Sequence, residues 1–365
     1  MVAQPFAPSP AKVAPIAGDR SARARLTIVV LALLLVVIVL ASLGAGASNA
    51  SALELVRHWL SGDGMDDATG IRNRIIIQDI RLPRAVLGML VGASLAVSGA
   101  VMQGLFRNPL ADPGLIGVSS GAGLGAVLVI VLGSGVLAPL VAPLGLAALP
   151  LAAFCGGLLT TLILYAIATR QGRTSVATML LAGIALAALA MALTGVLIFV
   201  ADDRQLRDMT FWQLGSLAGA TWQKIGTAGP VMAMALATTP LLARGLNAMA
   251  LGEATATHLG INVQRVKYLA IVGVSAAVGA AVAVSGGIGF IGIVVPHLLR
   301  LLIGPDNRYL LPASALLGAA ALLLADAVSR TVVAPAELPI GIITAAVGGP
   351  FFLWILLRKR GILDL

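Results

Sequence analysis

Charge is the first thing this sequence lacks. Only 11% of its 365 residues are Asp, Glu, Lys or Arg, against about a quarter in soluble globular domains, and that excludes a water-soluble fold. Cysteine occurs once, as Cys155 within an apolar run. No disulfide within the chain and no cysteine-based metal site can form from one thiol, so Cys155 reads as a small buried hydrophobe. Aromatic residues are 4% of the chain, and no basic segment interleaves with them, which excludes a nucleic-acid interface despite a net charge of +9. No lysine precedes Ser or Thr, because Lys12, Lys224, Lys267 and Lys359 are followed by Val13, Ile225, Tyr268 and Arg360. The Lys-Ser/Thr pair of a phosphate-binding loop is therefore missing. Any ATP-driven step belongs to another chain, and this one is not an enzyme. The three histidines, His58, His258 and His297, have no ligand spacing, so no metal and no cofactor is expected.

What is present is a series of long apolar runs. Ala85 to Phe106 carries no charge and is long enough to cross a bilayer. Residues 114 to 169 are likewise uncharged, enough for two helices turning near Pro139 and Pro143. Further runs cover 26–52, 174–201, 225–242, 268–286, 288–303, 310–325 and 339–357. The expected fold is an all-α polytopic membrane protein of about ten transmembrane helices, with a polar tail at 1–25 and a membrane domain at 26–360.

Ten spans put both termini on one side. Arg20, Arg23, Arg25, Arg107, Arg170, Arg173, Arg244, Arg265, Arg300, Arg308 and Arg358 then fall on the inner side, as the positive-inside rule requires. The outer segment 53–84 breaks the pattern with Arg57, Arg72, Arg74, Arg81 and Arg84. A functional use for those arginines resolves the conflict; anchoring at lipid headgroups is the bland alternative. Between 245 and 267 the chain is too polar to cross, and Ala248–Leu259 reads as a short helix closed by Gly260. Ala96-Val-Ser-Gly99 recurs as Ala283-Val-Ser-Gly286, five helices later, which makes a candidate inverted repeat. Asp326 and Glu337 are placed at helix ends, so the spans hold no carboxylate density for a proton or sodium path. An ion-coupled secondary carrier is the rival from another class.

Several long stretches resemble one family. They are RLPR at 81–84, GASLAVSGAVMQGLFRNPLADPGLIGVSSGAG at 92–123, LGEATATHLGI at 251–261, SGGIGFIGIVVPHLLRLLIGPDNRYLLPASALLGAAALLLAD at 285–326 and ELPIGIITAAVGGPFFLWILL at 337–357. They are similar to the permease subunits of ABC importers for ferric siderophores, cobalamin and haem. The resemblance implies a homodimer around a central pathway in the cell inner membrane, with both termini cytoplasmic. It further implies two ATP-binding subunits at the cytoplasmic face and a periplasmic substrate-binding protein. On the matching positions it implies outward-facing docking arginines at Arg72, Arg81, Arg84 and Arg330. It implies an ATPase-coupling segment at 246–262, with Ala250, Leu251, Gly252, Glu253, His258 and Gly260. It also implies a translocation pathway along the fifth helix, the segment after it and the tenth helix, with Ala182, Gly183, Ala185, Trp212, Gly215 and Ser216. FWQLGSLAGATW at 211–222 resembles the haem permeases more than the cobalamin or siderophore ones, so haem is the expected cargo and the other two remain open.

Overall fold

In lipid a backbone has no water to bond, so an uncharged run must satisfy its own N–H and C=O groups as a helix. The computed structural model describes residues 20–44, 68–170 and 173–358. Among them, helix dominates. Helix α1 spans Ser21–Gly44 and α2 spans Ala68–Arg74. A π-helical stretch, Ile75–Arg81, leads without a break into α3, Leu82–Phe106. A 3-10 turn at Pro113–Ile116 introduces α4, Val118–Leu132. Short helical turns over Ala138–Val141 and Ala142–Ala147 precede α5, Ala148–Ala168. A small antiparallel hairpin, β1 (Thr169–Arg170) with β2 (Arg173–Thr174), joins α5 to α6, Val176–Val200. Then follow α7 (Asp203–Leu214), α8 (Trp222–Ala250), α9 (Glu253–His258) and α10 (Val263–Ser285). The last three are α11 (Ile291–Ile303), α12 (Asn307–Thr331) and α13 (Ile340–Arg358).

Among the described residues, seven helices have the length and composition of a membrane span, and α4, α11 and the Ile340–Trp354 part of α13 are shorter apolar helices. At 15 and 13 residues, α4 and α11 rise only about 20 Å, less than a hydrocarbon core of about 30 Å. Residues 1–19 of the expected tail, residues 45–67, which take in Arg57 and His58 of the expected outer segment, and Lys359 and Arg360 lie outside the described residues.

Several boundaries differ from the sequence expectation, for a common reason. Charge ends a membrane span but need not end a helix. Helix α1 starts at Ser21 and carries Arg23 and Arg25 exposed on its opening turns. Helix α8 continues past the exposed Arg244 to Ala250, so the short helix expected from Ala248 begins only at Glu253. Two prolines, Pro230 and Pro240, lie inside α8. Pro240 has no N–H for the Leu236 carbonyl, and the Thr239 hydroxyl donates to that carbonyl instead at 2.7 Å. Helix α12 likewise runs past Asp326 to Thr331. Cys155 is exposed on α5 rather than buried, since an apolar helix in lipid has no need to hide a thiol. The two Ala-Val-Ser-Gly segments occupy unlike places: Gly99 lies within α3, whereas Gly286 ends α10 with φ of 70°.

Helix α3 is the centre of the bundle, buried along most of its length and packed by α8, α10, α11 and α12. Its closest partner is α12. A Cβ added to Gly92 would run into the Gly318 carbonyl, and one added to Gly318 would run into Gly92 and Ala96. Small residues let helix backbones meet in lipid, where van der Waals contact must do the work that water does elsewhere. A Cβ added to Gly195, on α6, would meet no atom from elsewhere in the chain within 4 Å. Gly318→Ala should lower stability by about 2–3 kcal/mol through forced separation of α3 and α12, while Gly195→Ala should leave it unchanged or higher. Thermal midpoints in detergent check the pair; equal midpoints would show that the contact is not limiting.

Candidate functional site

The arginines expected on the outer side do not share one environment. Arg72, on α2, is exposed. Arg81, Arg84 and Arg330 are only 5%, 6% and 7% exposed. Expected as outward-facing docking residues, these three have their guanidinium groups engaged by partners within the chain. Helix α1 ends at Gly44 with carbonyls that no helical N–H can reach. Arg81 Nη1 donates to Leu43 O at 2.7 Å and Gly44 O at 3.3 Å, and Arg330 Nη2 donates to the Ser42 hydroxyl at 3.0 Å. Two guanidinium groups thus close the negative end of α1.

Arg84 and Arg330 also meet over one acid. Arg84 Nε and Nη2 both lie 2.9 Å from Asp326 Oδ1, and Arg330 Nε lies 3.1 Å from Asp326 Oδ2. Arg84 Nη1 reaches Glu337 Oε1 and Oε2 at 3.0 Å. The Asp326 side chain is fully buried, whereas that of Glu337 is 39% exposed. Asp326 is therefore a fully buried acid near the end of α12, held between two guanidinium groups. Its partners are more than 240 positions away for Arg84 and four for Arg330, and only the nearer pair could have been read from the sequence.

The expected coupling residues form a projection at the opposite end of α8. Leu251 and Leu259 are 67% and 61% exposed, and Ala250, His258 and Gly260 are exposed as well. Gly252 has φ of 107°, a region closed to other residues in practice, and this reverses the chain between α8 and α9. Glu253, expected at a partner contact, spends its carboxylate within the chain: Lys267 Nζ lies 2.8 Å from Oε1 and 2.9 Å from Oε2. The same ammonium donates to Thr174 O at 2.9 Å, while Thr174 N donates to Gln264 Oε1 at 2.8 Å. The hairpin, α9 and α10 are tied together by this one buried lysine. On the other flank, Asn247 Nδ2 donates to Asp306 Oδ1 at 2.7 Å, and the Asn307 backbone N–H donates to Asn247 Oδ1 at 2.8 Å. The Arg308 guanidinium beside Asp306 holds its carboxyl below the usual range, with Asn247 adding to the effect against partial burial. A cleft of about 640 Å³ opens here, lined by Leu251 together with Arg20, Asn247, Asp306, Arg308 and Tyr309.

Of the expected pathway residues, Trp212, Gly215 and Ser216 come together at a junction of three helices. Ser216 N donates to Ser285 O at 2.8 Å, at the end of α10, and Ile340 N donates to Gly215 O at 3.0 Å, at the start of α13. Ala182, Gly183 and Ala185 lie on α6, which packs on α4 and α5. Gly183 is buried, Ala182 half-buried and Ala185 exposed. His297 is buried in α11 beside the Phe351 ring.

Residues 34–358 match the FecCD transport family. The chain belongs to that family. This FecCD permease is 49% identical over 282 residues to the hemin transport system permease protein HmuU of Yersinia pestis, covering 77% of this chain and 83% of that one. It is 47% identical over 287 residues to the cobalamin import system permease protein BtuC of Halobacterium salinarum, covering 79% and 74%. With the vitamin B12 import permease of Klebsiella pneumoniae subsp. pneumoniae it shares 43% identity over 303 residues, covering 83% and 86%. Among solved structures, a chain assigned to the metal-chelate type of ABC transporter, in an inward-facing conformation, matches with a TM-score of 0.78 and 32% identity, covering 91% of this chain and 98% of that one. The protein is a multi-pass membrane permease of an ABC importer, with a transport role rather than a catalytic one.

The buried acid of the FecCD permease makes a direct forecast. Asp326→Asn leaves Arg84 and Arg330 facing an uncharged amide, and breaking such a pair from one side costs about 3–5 kcal/mol. Asp208→Asn, at an exposed position of α7, is the matched control. A marked fall in the detergent thermal midpoint is expected for the first and none for the second; parity between them would mean that the cluster carries no stability.

Proposed function

We propose that this chain is the permease subunit of an ATP-driven importer that moves haem from periplasm to cytoplasm. In this reading ten helices cross the inner membrane with both termini in the cytoplasm, and two copies form a homodimer around the pathway. Two separate ATPase chains seat on the exposed α9 projection, residues 246–262, with Ala250, Leu251, Gly252, Glu253, His258 and Gly260 at or behind the contact. The adjoining cleft and its arginines extend that surface.

A periplasmic binding protein docks on the opposite end through its acidic residues. Arg72 is an exposed cation available to it. Arg81, Arg84 and Arg330 form the charged floor behind Arg72, where Arg–carboxylate forks give orientation as well as attraction. Trp212, Gly215 and Ser216, with Ala182, Gly183 and Ala185, line the pathway. An ion-coupled carrier finds little support, since Asp326 is shared between two arginines.

The observation that carries the haem reading is the segment 211–222, whose Trp212 and Gly215 stand at the junction of α7, α10 and α13. Similarity to a hemin system permease supports it. Ferric siderophore or cobalamin is the alternative cargo, and the cobalamin relatives favour the latter.

In proteoliposomes with both partner proteins, haem uptake should require ATP and fall at least tenfold with a hydrolysis-dead ATPase. Binding-protein-stimulated ATP hydrolysis should be strongest with haem across a panel of haem, cobalamin and ferric siderophores. Strongest stimulation by cobalamin would transfer the assignment to that cargo. Uptake that survives a dead ATPase and collapses with the proton gradient would instead establish the secondary carrier.

A further inference from the structure

Arg84 is held by two carboxylates of unlike character. Asp326 is inside α12, fully buried and shared with Arg330. Glu337 belongs to the irregular segment 332–339 between α12 and α13, and its side chain is 39% exposed. Residues 332–337 of that segment are all exposed. Two backbone ties flank Glu337: Leu338 N donates to Ser329 O at 3.0 Å, and Ile340 N donates to Gly215 O at 3.0 Å. The second tie joins the start of α13 to the junction that holds Trp212 and Ser216. An exposed strap therefore runs from an exchangeable ion pair to the outer end of a helix at that junction.

We propose that Glu337 is an internal stand-in for the acid of a docking protein: it occupies Arg84 in the undocked chain and is displaced from it when a partner's carboxylate arrives. The proposal rests on the docking reading above. Exchange of one carboxylate for another on the same guanidinium leaves the ion-pair energy nearly unchanged. Arg84 is never left bare, because Asp326 stays in place, so the large penalty for an unpaired buried charge does not arise. Glu337, already partly in water, returns to it at small cost. What changes is the strap, which loses its side-chain anchor while its neighbours Leu338 and Ile340 remain bonded. Docking then acts on the outer end of α13 by removing an anchor rather than by pushing. A ligand shifts such an equilibrium only through its different affinity for the two states, and here the difference is whether Arg84 is already occupied.

The test uses the full transporter in nanodiscs, with the binding protein that stimulates its ATPase as the probe. Nitroxide labels at Ile80→Cys and Val333→Cys, both exposed, in a Cys155→Ala background report the strap against the helix that bears Arg84. In the parent the distance distribution should be narrow and should broaden when binding protein is added. Glu337→Gln should be broad without it, and should bind the probe about tenfold more tightly because the competitor is gone. An unchanged distribution or an unchanged affinity in Glu337→Gln overturns the proposal. Arg72→Glu, at an exposed position outside the buried cluster, reports on docking separately. If it weakens binding while Glu337→Gln behaves as the parent, docking stands and the stand-in falls. If neither Arg72→Glu nor Arg84→Glu alters affinity, the docking reading fails and the proposal with it.

Discussion

Asp326 is the point on which the arginine-bearing end of this permease depends. One carboxylate, with no exposed side-chain surface, faces guanidinium groups from α3 and from its own helix α12. A lone charge at that depth would be costly, and so would either arginine alone. Together the three groups offset one another's desolvation, and the surplus positive charge is met by Glu337 and by the carbonyl end of α1. Four separate stretches of chain are thereby fixed to one another: the end of α1, the start of α3, the end of α12 and the strap before α13. No apolar contact could fix the register between these elements so tightly, because Leu and Val slide past each other with little change in energy, whereas a forked ion pair has one geometry.

The opposite end, around α9, is built on the same logic with different parts. Lys267, 2% exposed, holds Glu253, and its second hydrogen bond reaches the hairpin. Asn247 bridges to Asp306 and Asn307. The α9 projection is exposed on its outer side yet clamped on both flanks, so a force applied to Leu251 is delivered to α10 and α12 rather than lost in a loose loop. Helix α12 is common to both ends, since Asn307 begins it and Asp326 and Arg330 lie near its close. Between them α12 meets α3 at Gly92 and Gly318 with no side chain between the backbones, a contact that transmits displacement with little slack.

The sequence disclosed the helices because apolar runs are long-range consequences of the solvent and need no knowledge of neighbours. It disclosed the polar stretch between two apolar ones, closed by Gly260, for a similar reason, but set the start of its short helix at Ala248 and missed the break at Gly252. It could not disclose that Arg81, Arg84 and Arg330 are buried. A run of residues states its own polarity but not the identity of a partner more than 240 positions away, and Arg84 reads the same whether it meets water or Asp326. The same blindness applied to Glu253, whose carboxylate is taken by Lys267. Helix ends were misplaced where a charge marked the edge of the lipid, as at Arg244, because the rod continues into water beyond it.

The π-helical stretch Ile75–Arg81 has a consequence for which charges this end of the permease exposes. Positions seven apart in an α-helix fall on one face. Arg74 and Arg81 are seven apart on an unbroken rod, yet Arg74 is exposed and Arg81 is 5% exposed. The intervening turns wind more widely than an α-helix, and they rotate the phase of everything N-terminal to them. One continuous helix can therefore offer cations to water at its tip and surrender the next ones to the interior. The division between an advertised charge and a hidden one is set by a change of pitch, written into the backbone rather than into any side chain.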